Sequence, residues 1–371
     1  MLVTILVFLL ILSVLVLVHE LGHFLMAKKL GIKVEEFGFG LPPRLFGIKK
    51  GETIYSINWL PIGGFVKLYG EDDAGSGSIK VKKQTSKITN LKKAFFARPA
   101  WQKILVVTAG VVMNFLLAVV IISYLFSAVG VSVPGDKVLV SQVLDNSPAK
   151  QAGLKAGDTV KSINGIKLTS GQQLVSITKK NLGQTIKLEV SGKDAKTRTL
   201  EVVPRVKYPS NEGPMGIAIS SNVEVKKYPW YLAPFLGTME ALKMSWLIAS
   251  GLLSMFYQLI FSGVVPKGVA GPVGIAELTG QFVAIGPNAV LSFVALLSLN
   301  LAILNILPFP ALDGGRLLFI IIGLIGGKRI SEKYEAYAHA IGMIILIGLI
   351  VLITINDLIR LFSGQPILPK M

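Results

Sequence analysis

Residues 2–18, LVTILVFLLILSVLVLV, are 17 consecutive residues without a charge, and His19-Glu20-Leu21-Gly22-His23 follows them directly. At about 1.5 Å of rise per residue the run makes a helix of about 26 Å, close to the apolar thickness of a bilayer. Apolar Leu21, Phe24, Leu25 and Met26 carry the helix past the histidines before Lys28 and Lys29 are reached. Three ionisable side chains therefore sit at membrane depth, where a charge costs at least about 2.5–3.5 kcal/mol on insertion scales and marks function. A cleaved signal peptide fits the segment poorly. No basic stretch precedes the apolar run, and no small-residue cleavage site follows it.

Composition supports the membrane reading. Of 371 residues, 52% are hydrophobic and 16% charged, against roughly 25% charged in an ordinary soluble domain. Mean hydropathy is +0.63. A disordered chain, a fibrous one and a small disulfide scaffold are excluded. With no cysteine, there is no thiolate nucleophile and no Cys-ligated metal. Only three histidines are present, so a metal site must draw on His19, His23, His339 or carboxylates. The formal charge of +17 fits basic loops beside membrane spans better than nucleic-acid binding, for which no motif is seen.

The pattern divides the chain. Residues 1–30 are a first membrane helix. Residues 27–103 carry 15 basic and six acidic side chains, which places them in the cytoplasm and the N-terminus outside. Within 31–103, the stretch 54–69 reads as two short strands joined by Pro61-Ile62-Gly63-Gly64, apolar enough to dip into the membrane against protein. A second span covers 104–130, with Asn114 as its one strongly polar residue. Short alternating runs and turn residues over 131–222 predict a β-rich extracytoplasmic domain. Within 223–284, residues 229–262 predict an amphipathic helix at the interface rather than a span. A third span runs 285–311, within a segment 285–327, and a fourth occupies 334–362, within 328–371.

His19 and His23 are spaced i, i+4, so a helix puts both imidazoles on one face, within reach of one zinc ion. Glu20 stands beside them, placed as the base that takes a proton from water. A catalytic zinc needs a third protein ligand and an open position. Asp313, in Asn305-Ile306-Leu307-Pro308-Phe309-Pro310-Ala311-Leu312-Asp313-Gly314-Gly315, is the favoured candidate, and His339 is the rival. The prolines break the helix before Asp313, and Gly314 and Gly315 are read as allowing a tight backbone turn.

HELGH and LNILPFPALDGG, on separate membrane segments, resemble the site-2 protease family of intramembrane zinc metalloproteases, and within it the bacterial regulator-of-sigma-E protease type. GFGLPPRLF at 38–46, YSINWLPIGGFVKLYGED, AGVVMNF and AGPVGIAELTG at 270–280 carry the likeness along nearly the whole chain. NSPAKQAGLKAGDTVKSINGIKL at 146–168 resembles a bacterial PDZ domain. Two departures are visible. The segment 131–222 has room for about one PDZ domain where some relatives carry two, and no proline follows Gly110 in the second span.

The resemblance implies an α-helical polytopic membrane protein of about four transmembrane helices, with a membrane re-entrant β-hairpin and an inserted β-rich PDZ domain. It implies one catalytic Zn2+ on His19, His23 and Asp313, with Glu20 as general base. Substrate would bind as an extended strand at the re-entrant loop, at Gly63, Gly64, Phe65 and Val66, with Asn305 and Asn114 holding its backbone. The expected substrates are single-span membrane proteins, such as anti-sigma factors, or remnant signal peptides. The other expected partners are the lipid bilayer and a peptide at the PDZ domain, with no nucleic acid. The expected place is a bacterial inner membrane, the PDZ domain outside and the active site near the cytoplasmic face. Two competing readings are a non-catalytic PDZ scaffold, which would not need Glu20, and a metal transporter, which would want more intramembrane carboxylates.

Overall fold

The computed structural model describes residues 2–71, 90–192, 196–209, 212–262, 270–326 and 332–363. It divides into two compact units, residues 1–127 with 229–371, and residues 128–228.

Among the described residues, the first unit is mainly helical, with one small sheet. Four helices among the described residues are long and apolar enough to cross a membrane: Leu2–Lys29, Ala100–Val129, Pro287–Ile306 and Tyr334–Phe362. They correspond to α1 (Leu2–Lys29), α2 (Ala100–Tyr124) with a π-turn at its end, α7 (Pro287–Ile306) and α9 (Glu332–Phe362). The membrane-protein fold class read from the sequence is therefore present.

The third expected segment differs in detail. Pro308 has no N–H to continue a helix, and Leu307 before it is extended at φ −60°, ψ 141°. The chain stops at Ile306, turns through 307–312, and starts a separate helix α8 at Asp313–Ile325. Segment 285–327 is thus two helices. Likewise 223–284 holds two, α5 (Ala233–Ser262) and α6 (Pro272–Ile285), rather than one helix and a linker. Small residues let α5 lie close to α2. Ala241 and Ala118 are fully buried in a cluster that also takes in Ala295 and Leu299 of α7.

The sheet of this unit corrects the expected hairpin. Its strands are β1 (Val34–Lys50) and β2 (Thr53–Leu68), joined at Gly51, which has φ +63°. Both strands bend near their middles, so Gly38 pairs with Phe65 on one side and with Ser56 on the other. The two halves of 54–69 therefore flank residues 34–39 instead of pairing with each other. Asn58 fixes the bend of β1 by donating to the carbonyls of Phe39 (3.3 Å) and Gly40 (3.0 Å). Around the bends Leu45, Phe46, Ile48, Ile57 and Trp59 are all at least half exposed. That surface suits hydrocarbon rather than water. At its other end the sheet is anchored by Val34 and Leu68, buried with Ala27 of α1, Ile32 just after it and Val106 of α2.

The second unit, 128–228, is slightly longer than the expected 131–222. Its sheet has strand order β7-β6-β4-β3-β8, with β5 on β4. The strands are β3 (Val131–Val143), β4 (Thr159–Ile163), β5 (Ile166–Lys167), β6 (Ile186–Ser191), β7 (Thr197–Val202) and β8 (Ile217–Lys226). Two helices, α3 (Pro148–Gln151) and α4 (Gly171–Lys180), complete it. The 146–168 motif is explained locally. Ser147 caps α3 by accepting from Lys150 N at 3.2 Å, with Pro148 at the first helical position. Asn164 and Gly165 both have positive φ, as a two-residue hairpin turn between β4 and β5 requires. Val138, Val140, Leu154, Ile186 and Leu188 form its core at 0–1% exposure.

Candidate metal centre

The last turns of α1 carry His19 and His23, and the first residue of α8 is Asp313. The fold brings them together from 294 residues apart. His19 Nε2 lies 2.9 Å and His23 Nε2 3.2 Å from Asp313 Oδ2, and the two Nε2 atoms are 3.1 Å apart. The three side chains offer ligand atoms that all lie within 4.8 Å of one another. His339 is not among them. Its Nδ1 accepts from the backbone N–H of Ala311 at 2.9 Å, behind the loop that carries Asp313.

Both imidazoles are oriented from the side away from Asp313, as metal-binding histidines require. His23 Nδ1–H donates to the Val106 carbonyl at 2.8 Å, which leaves the Nε2 lone pair free. The Asn114 amide lies 3.3 Å from His19 Nδ1, and its Oδ1 is otherwise buried without a partner among the described residues. The structure sets Asn114 Nδ2 at that position; exchanging the amide nitrogen and oxygen, which have the same shape, gives the buried Oδ1 a partner in His19 Nδ1–H and leaves Nε2 free. Two imidazole nitrogens, each braced from behind, and one carboxylate oxygen fit a zinc ion with one open position.

Asn114 is fully buried, and its carbonyl accepts from Ser298 Oγ on α7 at 2.8 Å. Its contacts in the fold are thus with His19 and α7. Asn305, in the last turn of α7, stands on the other side of the ring, with Nδ2 3.4 Å from His19 Nε2. Glu20 lies on α1 beside β2. A Cβ built on Gly64 would sit 3.9 Å from Glu20 Cγ and 3.5 Å from Leu17 Cδ1, and one on Gly63 3.4 Å from Val16 Cγ1. Gly63 has φ +74°. The second half of β2 therefore runs along the face of α1 that presents Glu20. Phe65 covers Gly38, and Val66 packs against the cluster joining α1, the sheet and α2.

Several contributors were not singled out from the sequence. A Cβ on Gly110 would overlap the rings of both His19 and His23, and one on Gly22 would overlap the Ala109 carbonyl. These glycines let α1 and α2 close around the imidazoles. Val106, Gly110 and Asn114 are spaced i, i+4, i+8, which is one stripe of a helix, so the signal was present in the spacing. Gly314 and Gly315 are needed for a different reason than the expected turn. Both lie inside α8, neither has positive φ, and a Cβ on either would run into the carbonyls of Leu307 or Phe309. The left-handed residue of the loop is Ala311, at φ +87°. Three residues after Asp313, Arg316 pairs with Glu71 at 2.5 Å, tying α8 to the end of the sheet.

Known proteins are similar to this chain in sequence. The chain is 31% identical over 430 residues to the regulator of sigma-W protease RasP of Bacillus subtilis, covering 97% of this chain and 99% of that one. It is also 31% identical over 428 residues to the zinc metalloprotease RasP of Bacillus licheniformis, with the same coverage. Among solved structures, the PDZ domain of the SdrC-like protein from Listeria monocytogenes is 28% identical. That match covers 24% of this chain and 93% of that domain, with a TM-score of 0.21. The profile of peptidase family M50 matches residues 7–349, a stretch that contains His19, His23 and Asp313, and the chain belongs to that family.

Proposed function

We propose that this zinc metalloprotease is an intramembrane endopeptidase that cleaves membrane-spanning segments of single-span proteins or remnant signal peptides, using one zinc ion held by His19, His23 and Asp313. The observation that carries the reading is the meeting of those three ligand atoms with Glu20 one residue from His19. A zinc ion held there would lower the pKa of its water far enough to make hydroxide available near neutral pH, and would polarise a carbonyl oxygen. Glu20 accepts a proton from the attacking water and returns it to the departing amine nitrogen, so one carboxylate serves both halves of the reaction.

A helical substrate shields its own peptide bonds, so it must unwind before attack. Residues 64–68 pair on one side with 34–39 and have no second strand partner among the described residues. Gly63, Gly64, Phe65 and Val66 thus offer a free strand edge for an extended segment beside Glu20. In this reading Asn305 holds the substrate backbone near the reacting carbonyl, and Asn114 acts at one remove by fixing the His19 ring. The 131–222 domain lies outside the cell, binds a peptide end, and leaves the active site nearer the cytoplasmic face of a bacterial membrane.

The test is cleavage of a model membrane-spanning substrate by purified wild type, Glu20→Gln and chelator-treated protein. Only the wild type is expected to cleave. A Glu20→Gln variant as fast as wild type overturns the mechanism. For orientation, a single cysteine introduced into 131–222 should react with an impermeant reagent added outside intact cells, and protection inverts the topology.

A further inference from the structure

The third histidine has a place that neither a ligand nor a lipid-facing residue would take. His339 lies on α9, 5% exposed, in a helix otherwise largely exposed. Its Nδ1 accepts the N–H of Ala311 at 2.9 Å, which puts the ring proton on Nε2, 3.9 Å from Glu335 Oε1. One face of the ring lies against Phe319 of α8, with centroids 5.6 Å apart. Three residues further along α9, Gly342 brings its backbone so near Pro310 that a Cβ would overlap the Pro310 carbonyl. The 310–311 backbone is thus held between α9 and α8, two residues before Asp313.

Ala311 is what needs holding. Its φ of +87° is a region that residues with a Cβ rarely adopt. Strained backbone of this kind persists only where its surroundings over-determine it. The hydrogen bond from Ala311 N–H to His339 is the polar contact at that residue. With it, the chain leaves Pro310 in the direction that starts α8 with the Asp313 carboxylate facing His19 and His23. If Ala311 relaxes to negative φ, the start of α8 rotates and Asp313 swings off the point where the three ligand atoms meet.

We propose that His339 is a positioning residue of the metal centre: it locks Ala311 in its left-handed conformation and so aims Asp313 at the two ligating histidines. The inference rests on the zinc reading above. It gives the third histidine a structural role behind the ligand set instead of within it.

The test measures zinc affinity of the purified full-length chain by competition with a chromophoric chelator, and the absorption spectrum of the cobalt-substituted protein. His339→Leu removes the acceptor. It is expected to weaken zinc binding by about tenfold or more, the scale on which outer-shell contacts act, to change the cobalt spectrum, and to keep its helix content. His339→Asn, which keeps an acceptor, should stay within about threefold of wild type. Ala311→Gly in the His339→Leu background should recover most of the lost affinity, because glycine takes positive φ without the lock. Where His339→Leu does not fold, His339→Phe keeps the ring against Phe319 without the acceptor and replaces it in the series. Wild-type affinity in His339→Leu overturns the inference, and so does a loss that neither asparagine nor the added glycine repairs. A wild type that binds no zinc overturns the metalloprotease reading itself, a result separate from both.

Discussion

Ser13 on α1 donates its hydroxyl proton to the carbonyl oxygen of Pro61 at 3.0 Å, at the bend of β2. Ser13 is six residues before His19, so this peg lies about 9 Å along the helix from that histidine, well inside the first apolar segment. It fixes how deep the sheet reaches and, through that depth, which residues of β2 lie beside Glu20. A hydrogen bond of this kind contributes about 1 kcal/mol net. Ser13→Ala is expected to leave zinc content unchanged, to raise hydrogen exchange at the amides of Trp59, Leu60 and Ile62 to Gly64, and to slow cleavage several-fold. Unchanged exchange at those amides would remove the peg from the account.

Gly110 is predicted to be intolerant of one added methyl group. Gly110→Ala places a carbon into the space of both histidine rings, and overpacking of this type costs about 1–3 kcal/mol. Zinc affinity and thermal stability should fall together. Gly348→Ala is the control, since a Cβ there meets nothing within 4 Å. In a helix that change is neutral or stabilising by up to about 1 kcal/mol.

Ligand and base separate by metal content. Asp313→Ala removes one of three donors and should leave the purified chain with almost no zinc, measured as metal per polypeptide. Glu20→Gln should retain full zinc and lose at least about 100-fold in turnover, the usual size of a general-base contribution. Loss of zinc in Glu20→Gln would make Glu20 a ligand and refute its assignment as the base.

Asp357, 3% exposed near the end of α9, stitches that helix to α6. Its Oδ2 accepts from Gly271 N at 2.9 Å and Gly274 N at 2.8 Å, the free donors at the start of α6, while Oδ1 accepts from Arg360 at 2.9 Å. A carboxylate at a helix N-terminus satisfies both the open N–H groups and the positive end of the helix dipole. Asp357→Ala leaves two buried donors unpaired and should cost about 1–3 kcal/mol, read as a lower melting temperature in detergent. Asp357→Asn, which keeps an acceptor but not the charge, should fall between. Identical melting of wild type and the alanine variant would show that water replaces the carboxylate.

What the sequence determined on its own follows from constraints that need no neighbours. Seventeen uncharged residues force a membrane helix, and i, i+4 spacing forces His19 and His23 onto one face of it. The lack of cysteine and the scarcity of histidine left His339 or a carboxylate as third ligand, and the broken apolar segment around Asp313 made it the favoured carboxylate. Pro308 and Pro310 announced a broken helix before Asp313. The choice between Asp313 and His339 as ligand became geometric only in three dimensions, where 294 residues of separation close to 2.9 Å. The pairing of β1 with β2 also escaped the sequence, because local alternation says that a strand forms but not which strand it meets. The same holds for Gly110 and for the hydrogen bond from Ala311 to His339. A glycine's missing side chain, and the acceptor a strained backbone N–H finds, acquire meaning only from what another helix places against them.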